Sequence, residues 1–239
     1  MKSWQTSNCT TITRLLKGRS NVYLIEKNDC KILVDTGGSN RKRSLIGALA
    51  ERNLARLDYL ILTHTHFDHA GNAGMIRRRY DARVVTHTAE YAILAAGISI
   101  IPKGANIFTK AGVALGGKRF AALSQFAPCE TDIIVEDKYA MPGLPGVTIL
   151  HTPGHSAGSQ CVIVDDEFAL VGDTMFGMFV RGVYPPFADD PDLLIASWAK
   201  LLQTSCHTFL PGHGRPCKRN LVQKHFNLRN KVSPRFRCG

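Results

Sequence analysis

The stretch Thr63-His64-Thr65-His66-Phe67-Asp68-His69 sets three imidazoles and a carboxylate within six positions. It follows the apolar run Leu57 to Leu62, which reads as a buried strand. It precedes Ala70-Gly71-Asn72-Ala73-Gly74-Met75-Ile76, which can start a helix. A strand-to-helix turn presents loop side chains together while the flanking elements keep the loop rigid. Ligand-type residues crowded at such a turn are how a metal site is built.

Three later stretches repeat the arrangement of strand end, glycine and ligand-type residue. They are His151-Thr152-Pro153-Gly154-His155-Ser156-Ala157-Gly158, Val171-Gly172-Asp173-Thr174 and Leu210-Pro211-Gly212-His213-Gly214. Glycine lets the backbone bend tightly, so side chains from distant strands can converge on one point. One histidine beside a glycine is ordinarily a turn or core residue; four such sites at strand ends point to a shared centre.

The intervening chain alternates strand and helix, which indicates an α/β protein. Val22-Tyr23-Leu24-Ile25 and Ile32-Leu33-Val34, joined around Asn28-Asp29, read as a hairpin that delivers Asp35-Thr36-Gly37-Gly38 to a loop. Residues 44–53 have helical spacing. The run Arg77-Arg78-Arg79 suits the end of the helix around Met75. Arg83 to His87 reads as a strand and Thr88 to Ala96 as a helix. Between Gly97 and Cys129 no period emerges, and the segment reads either as a lid or substrate wall or as an irregular helical pair.

The second half is strand-rich: Ile133–Val135, Val147–Leu150, Cys161–Val164, Phe168–Val171 and Thr208–Leu210. Asp189 to Gln203 reads as a helix capped by Asp189 or Asp190, with Pro191 in its first turn and Leu193, Leu194, Trp198, Leu201 and Leu202 facing the core.

A chain of 239 residues with 44% hydrophobic and 21% charged residues is ordinary for one large globular domain. No run approaches the ~18 apolar residues of a membrane span, and Met1-Lys2-Ser3-Trp4-Gln5 has no apolar core behind its charge. No secretory leader and no membrane association are expected, and a cytoplasmic location is the default. The seven cysteines form no C-x-x-C pair and are expected to be reduced thiols. Much of the +11 net charge lies in a basic tail, 215–239, where Arg215, Lys218, Arg219, Lys224, Arg229, Lys231, Arg235 and Arg237 occur with no acidic residue. Such a tail can bind nucleic acid, but a solvated tail or a packed helix with a basic face is favoured.

With its H-x-H-x-D-H motif and ordered downstream His, Asp and His, the chain resembles the metallo-β-lactamase superfamily from about Asn21 to Arg215. The resemblance implies a four-layer αββα sandwich with a dinuclear metal centre at one edge of the paired sheets, within a single metallo-hydrolase domain over 1–239. It implies that His64, His66 and His155 hold one metal, that Asp68, His69 and His213 hold the other, and that Asp173 bridges them. Asp35 matches the family's early aspartate, a support behind the ligands. Imidazole and carboxylate ligands without thiolate suit two Zn²⁺, with iron or manganese as alternatives. A water shared by two metals has its pKa lowered from ~15.7 to about 7, which supplies the hydroxide for hydrolysis. Asp68 is expected to act catalytically by orienting that hydroxide and returning a proton.

Asp173 points away from antibiotic-degrading members and toward glyoxalase II-like and lactonase-like branches, although the stretch from Thr174 to Arg181 lacks the tyrosine of quorum-quenching lactonases and the Gly-Cys-Gly-Arg run of glyoxalase II. The expected substrate is a small ester, lactone or thioester. A nucleic-acid phosphodiester, prompted by the charge, and a β-lactam are the alternatives. Arg181 and Tyr184 are candidates for a substrate's polar end. Phe176 and Met178, with Met175 and Phe179, are candidates for an apolar wall or for core. His151 is expected to buttress the His155 loop, and His87 to end its strand without touching metal. Oligomeric state is not legible.

Overall fold

Alternating apolar positions assemble two sheets in this computed structural model, which describes residues 1–100, 124–178 and 182–230. In the first sheet β1 (Lys2–Gln5), β2 (Thr11–Leu16), β3 (Val22–Lys27), β4 (Cys30–Val34), β5 (Tyr59–Ile61), β6 (Arg83–His87) and β7 (Ile133–Val135) lie side by side in chain order. Strands β1 to β4 pair antiparallel, whereas β4 to β7 are parallel. Parallel neighbours need crossovers. These include α1 (Lys42–Ala50), the short α2 (Phe67–Ala70) with α3 (Ala73–Tyr80), and α4 (Tyr91–Ala96).

Successive side chains of a strand point to opposite faces, and the core divides accordingly. Leu33, Leu60 and Val84 pack on the helical side with Leu45, Leu49, Ile76 and Leu94. Their neighbours Ile32, Val34, Ile61 and Val85 face a second sheet through Val147, Ile149, Val162, Val164 and Leu210. That sheet runs in the order β13 (Cys217–Lys218), β12 (Thr208–Gly214), β11 (Phe168–Gly177), β10 (Gln160–Val164), β9 (Val147–His151), β8 (Lys138–Ala140). Only β11 and β12 pair in parallel, on either side of α5 (Pro191–Gln203). The outer face of this sheet packs Cys161, Val171, Met175 and Phe209 against Trp198 and Leu201 of α5 and Val222 of α6 (Arg219–Asn230). The layers are helix, sheet, sheet, helix, as the resemblance implies.

Several boundaries differ from the sequence reading. Residues 1–20 supply two strands beyond the sequence reading, and β8 and β13 are two more. The first helix runs Lys42–Ala50 rather than 44–53, and α4 starts at Tyr91. Strand β11 continues to Gly177 and β12 to Gly214, so Asp173 and His213 lie within strands rather than after them. The β11/β12 register shifts on both sides of Gly172. Such irregularities re-aim side chains. Asp190 caps α5, accepting from the amides of Asp192 and Leu193 at 3.0 and 2.9 Å. Leu193 is 45% exposed, and its expected place on the core face is taken by buried Ile195.

The described part of the basic tail is the packed helix α6. Arg219 donates to the carbonyls of Leu202, Thr204 and Cys206 at the end of α5, where a cation is favoured. Lys218 Nζ reaches Thr208 Oγ1 at 3.1 Å. Residues 231–239 lie outside the described residues, as do 101–123 of the expected lid. The ends of that segment meet: Ile98 bridges Gln125, and the Phe126 amide donates to the Gly97 carbonyl at 2.9 Å. Among the described residues the six cysteines are free thiols, and no helix is long and apolar enough to cross a membrane.

A buried ion pair ties the two sheets together far from the histidines. Lys27 Nζ lies 2.6 Å from Asp165 Oδ1, and Asp165 Oδ2 accepts from the hydroxyls of Thr6 (2.7 Å) and Thr10 (2.5 Å).

Candidate metal centre

Strands β4 and β5 run in parallel, and so do β11 and β12, with β9 in the same sense two strands from β11. Their C-terminal ends therefore share one edge, and the loops there carry the ligand-type residues. Asn21, at the start of β3, pins the β12 end: its amide N donates to the Gly212 carbonyl at 2.6 Å and its side chain to the Pro211 carbonyl at 2.9 Å. Gln160 crosses between sheets, donating from its backbone to Thr63 and from its side chain to Leu62.

The predicted residues converge. His66 Nδ1 lies 3.0 Å from both His64 Nε2 and His155 Nε2. Beside this triad, His213 Nε2 is 3.3 Å from Asp68 Oδ2 and 3.4 Å from His69 Nε2. Asp173 sits between them. Its Oδ2 is 3.2 Å from His213 Nε2 and 3.5 Å from His155 Nε2, and its Oδ1 is 3.3 Å from His69 Nε2. His64, His66, His69, His155 and Asp173 are all buried. The groups His64–His66–His155, His64–His69–Asp173 and Asp68–His69–His213 each bring their ligand atoms within 4.8 Å of one another.

Each ring's partners fix where its proton sits. A neutral imidazole carries one N–H. His155 Nδ1 donates to the Phe187 carbonyl at 2.9 Å, which leaves Nε2 to present a lone pair inward. Thr63 Oγ1 donates to Asp35 Oδ2 at 2.9 Å and is 3.1 Å from His64 Nδ1, so that nitrogen is the donor and His64 Nε2 is bare. Burial drives the His64 cation well below the usual imidazole range and His66 down to about 3, with the neighbouring imidazoles adding to the effect. The bare Nε2 atoms of His64 and His155 both stand 3.0 Å from His66 Nδ1, where a single proton could serve only one of them, so the three nitrogens suit a cation. Asp173 Oδ1 is buried and makes no well-formed hydrogen bond, its nearest partner being His69 Nε2 at 3.3 Å, a pairing that also suits a shared cation. The donor set fits a divalent metal in each triad.

The second triad is more acidic in surroundings. Burial opposes the His69 cation, but Asp173, Asp35 and Asp68 outweigh it and raise its pKa well above the ordinary value. The same opposition, with Asp173 prevailing, lifts His213 to about 9. Burial would raise Asp173, yet His213 and His69 hold it well below the usual carboxylate range. Asp68 is lowered in the same way by His69 and His213.

Asp35, expected as a support, accepts the His69 Nδ1–H at 2.8 Å and the Thr63 amide at 2.8 Å. His151 Nε2 donates to the Ala157 carbonyl at 2.9 Å, so it braces the His155 loop. His87 stacks on His151 with centroids 3.9 Å apart and donates to the Glu136 carbonyl; it is not among the clustered residues. Three residues with structural roles at the centre escaped the sequence reading: Gln160, Asn72 and Glu90. Asn72 donates to the carbonyls of Thr36, Gly37 and Gly38. Glu90 accepts from Thr65, Ser156 and Gly158. Their partners are distant in sequence, and a glutamate at the start of a helix is too common to signal a buried role.

The candidate substrate residues scatter. The Phe176 ring stacks on His213 at 4.6 Å and is buried, so it supports the centre from within the fold. Met175 is core, and Met178 is 63% exposed. Tyr184 faces the outer helices, edge-on to Trp198 and beneath the Arg229 guanidinium at 3.6 Å. Arg181 and Phe179 lie outside the described residues.

A family model described as the metallo-beta-lactamase superfamily matches residues 16–213. Atrochrysone carboxyl ACP thioesterase of Aspergillus fumigatus is 25% identical over 209 residues, an overlap covering 86% of this chain but 53% of that protein, so the chain spans about half of that relative's length. The probable metallo-hydrolase YqgX of Bacillus subtilis is 28% identical over 199 residues, covering 82% of this chain and 85% of that one. Among solved structures, the BLEG-1 B3 metallo-beta-lactamase superposes with a TM-score of 0.68 at 23% identity, over 91% of this chain and 98% of that one, a likeness of fold.

Proposed function

This chain belongs to the metallo-beta-lactamase superfamily, and from that membership we propose that it is a dinuclear metal-dependent hydrolase of a small ester, lactone or thioester. The observation that carries the reading is Asp173, one buried carboxylate within 3.5 Å of histidines from both triads. In this reading His64, His66 and His155 hold one cation, Asp68, His69 and His213 hold the other, and Asp173 lies between them. Zinc is the first candidate, with iron or manganese as alternatives. Divalent cations held there would acidify water and polarise the carbonyl oxygen of a bound substrate.

The protein's own groups then account for the proton traffic. Asp68 is ionised at neutral pH, and its side chain keeps 21% exposure, so it can take a proton at the carboxylate oxygen turned away from His213 and hand it to the leaving group. Asp35 and the Phe187 carbonyl hold the rings of His69 and His155 in the tautomer that turns Nε2 inward. Phe176 covers one face of His213.

Within the substrate class, the fungal relative named as a thioesterase supports the thioester. A phosphodiester substrate has less support, because Lys218, Arg219 and Arg229 of the basic C-terminal region are engaged within the fold. The test is turnover of ester, lactone, thioester and phosphodiester panels by zinc-, manganese- and iron-loaded protein. Hydrolysis of a carboxylic ester, lactone or thioester, lost in His66→Ala and Asp68→Ala, is expected. Equal rates in wild type and both variants would overturn the proposal.

A further inference from the structure

We infer that Glu90 is a positioning residue that sets the spacing of the His64–His66–His155 triad, an inference resting on the metal-centre reading above. Glu90 stands at the start of α4 and is 4% exposed. Its Oε2 accepts from the Thr65 amide at 3.1 Å and from the Thr65 hydroxyl. Its Oε1 accepts from Ser156 Oγ at 2.6 Å and from the Gly158 amide at 3.3 Å. Among the described residues no lysine or arginine pairs with it, so these four donors are what compensate the buried carboxylate.

The placement of those donors carries the argument. Thr65 lies between His64 and His66, and Ser156 follows His155. The first loop leaves β5 of one sheet and the second leaves β9 of the other, so no β-ladder fixes the distance between them. One carboxylate grips both, one oxygen to each. The contact it governs is the pair of 3.0 Å approaches from His66 Nδ1 to His64 Nε2 and His155 Nε2. Donor sets of this kind tolerate errors of only about 0.5 Å. Gly158 fits the same account: a Cβ there would stand 2.3 Å from Glu90 Cγ and 3.0 Å from His87 Nδ1, so a bare backbone lets the carboxylate reach between the loops.

Glu90→Gln isolates the effect. Whichever way the amide turns, its NH₂ faces a backbone N–H that cannot accept, that of Thr65 or that of Gly158, and one loop is pushed away. Glu90→Asp shortens the reach by a methylene and is expected to restore little.

The test is Co²⁺ titration of chelator-stripped protein, followed by the visible d–d bands and by calorimetry, with His66→Ala and His213→Ala as references for loss of either triad. Wild type is expected to take two equivalents. Glu90→Gln should bind one of them about 10–100-fold more weakly, the effect usual for residues that orient ligands. Its one-equivalent spectrum should match that of His66→Ala, not His213→Ala, and kcat should fall while KM stays within about threefold. Two equivalents bound by Glu90→Gln at wild-type affinity would overturn the inference while leaving the metal reading intact. No cobalt bound by wild type would sink both. If circular dichroism shows that Glu90→Gln does not fold, Ser156→Ala, which removes one donor to Oε1, takes its place. It should weaken the same equivalent several-fold, and an unchanged affinity would count against the inference.

Discussion

His69 Nδ1 donates to Asp35 Oδ2 at 2.8 Å, joining the loop after β4 to the loop after β5 and turning the other ring nitrogen of His69 toward Asp173. The same carboxylate accepts the Thr63 amide through Oδ1. In Asp35→Asn the side-chain oxygen is needed by that amide, so the NH₂ faces His69 Nδ1–H and drives the ring out of its tautomer. Zinc affinity is expected to fall about 10–100-fold, measured calorimetrically. Unchanged affinity would show that His69 is oriented by its other contacts.

His66 and Asp68 should separate metal occupancy from catalysis. His66→Ala removes the nitrogen common to two 3.0 Å approaches, and elemental analysis should find metal content falling from two toward one per chain. Asp68→Asn keeps an oxygen near His213 but loses the proton acceptor. It should lower kcat about 100-fold, within the range for a general acid–base group, with smaller loss of metal. If both variants lose metal equally, the division of labour is wrong.

Gly212 is held to a hydrogen by the centre itself. A Cβ there would lie 2.5 Å from Asp173 Oδ1 and 2.5 Å from His69 Cε1, both buried and fixed. Gly212→Ala should cost about 1–3 kcal/mol from overpacking. It should also lower turnover about 100-fold, because displacing reacting groups by about 1 Å has that effect. Denaturant melts and steady-state rates check both, and a fully active variant would argue against the packing drawn for β12.

The Lys27–Asp165 pair predicts a pH dependence away from the histidine cluster. Burial raises the Asp165 carboxyl, but bonds from Lys27, Thr10 and Thr6 outweigh it and leave its pKa below the ordinary 3.8. A depressed folded-state pKa means that the pair's stabilisation is present above the unfolded value and is lost as pH falls through the lower folded value. Asp165→Asn should remove about 3 kcal/mol near neutrality by leaving Lys27 buried and unpaired. Its deficit relative to wild type should shrink below pH 4. Parallel stability curves for the two proteins from pH 7 to 2 would contradict this.

Much of the centre is readable along the chain because a ligand loop needs the same letters wherever it occurs: a strand's apolar run, a glycine and an imidazole or carboxylate. His64, His66, Asp68, His69, His155, Asp173 and His213 could be picked out by type and spacing, and the structure gathers all seven. The hairpin of β3 and β4 and the strand Arg83–His87 were legible from period and turn chemistry. Residues 1–20 were not, because β1 is a four-residue edge strand and the six residues of β2, Thr11–Leu16, do not alternate strictly between apolar and polar. Leu193 and Ile195 stand two positions apart, about 200° around a helix that turns about 100° per residue, so the face shared by Leu194, Trp198 and Leu201 covers Ile195 and leaves Leu193 outside.

The sequence alone determined which chemistry the stretch 63–69 can offer, since side-chain type fixes the available chemistry and a strand-to-helix turn fixes its display. Only the tertiary structure decided how the ligand loops stand relative to one another. That distance depends on contacts between groups remote in sequence: Asp35 on His69 across 34 positions, Gln160 on Leu62 across 98, and Glu90 on Thr65 and Ser156 across 25 and 66. A buried carboxylate or amide must find its donors and acceptors somewhere, but nothing local in the chain says where. Folding two sheets face to face supplies the answer.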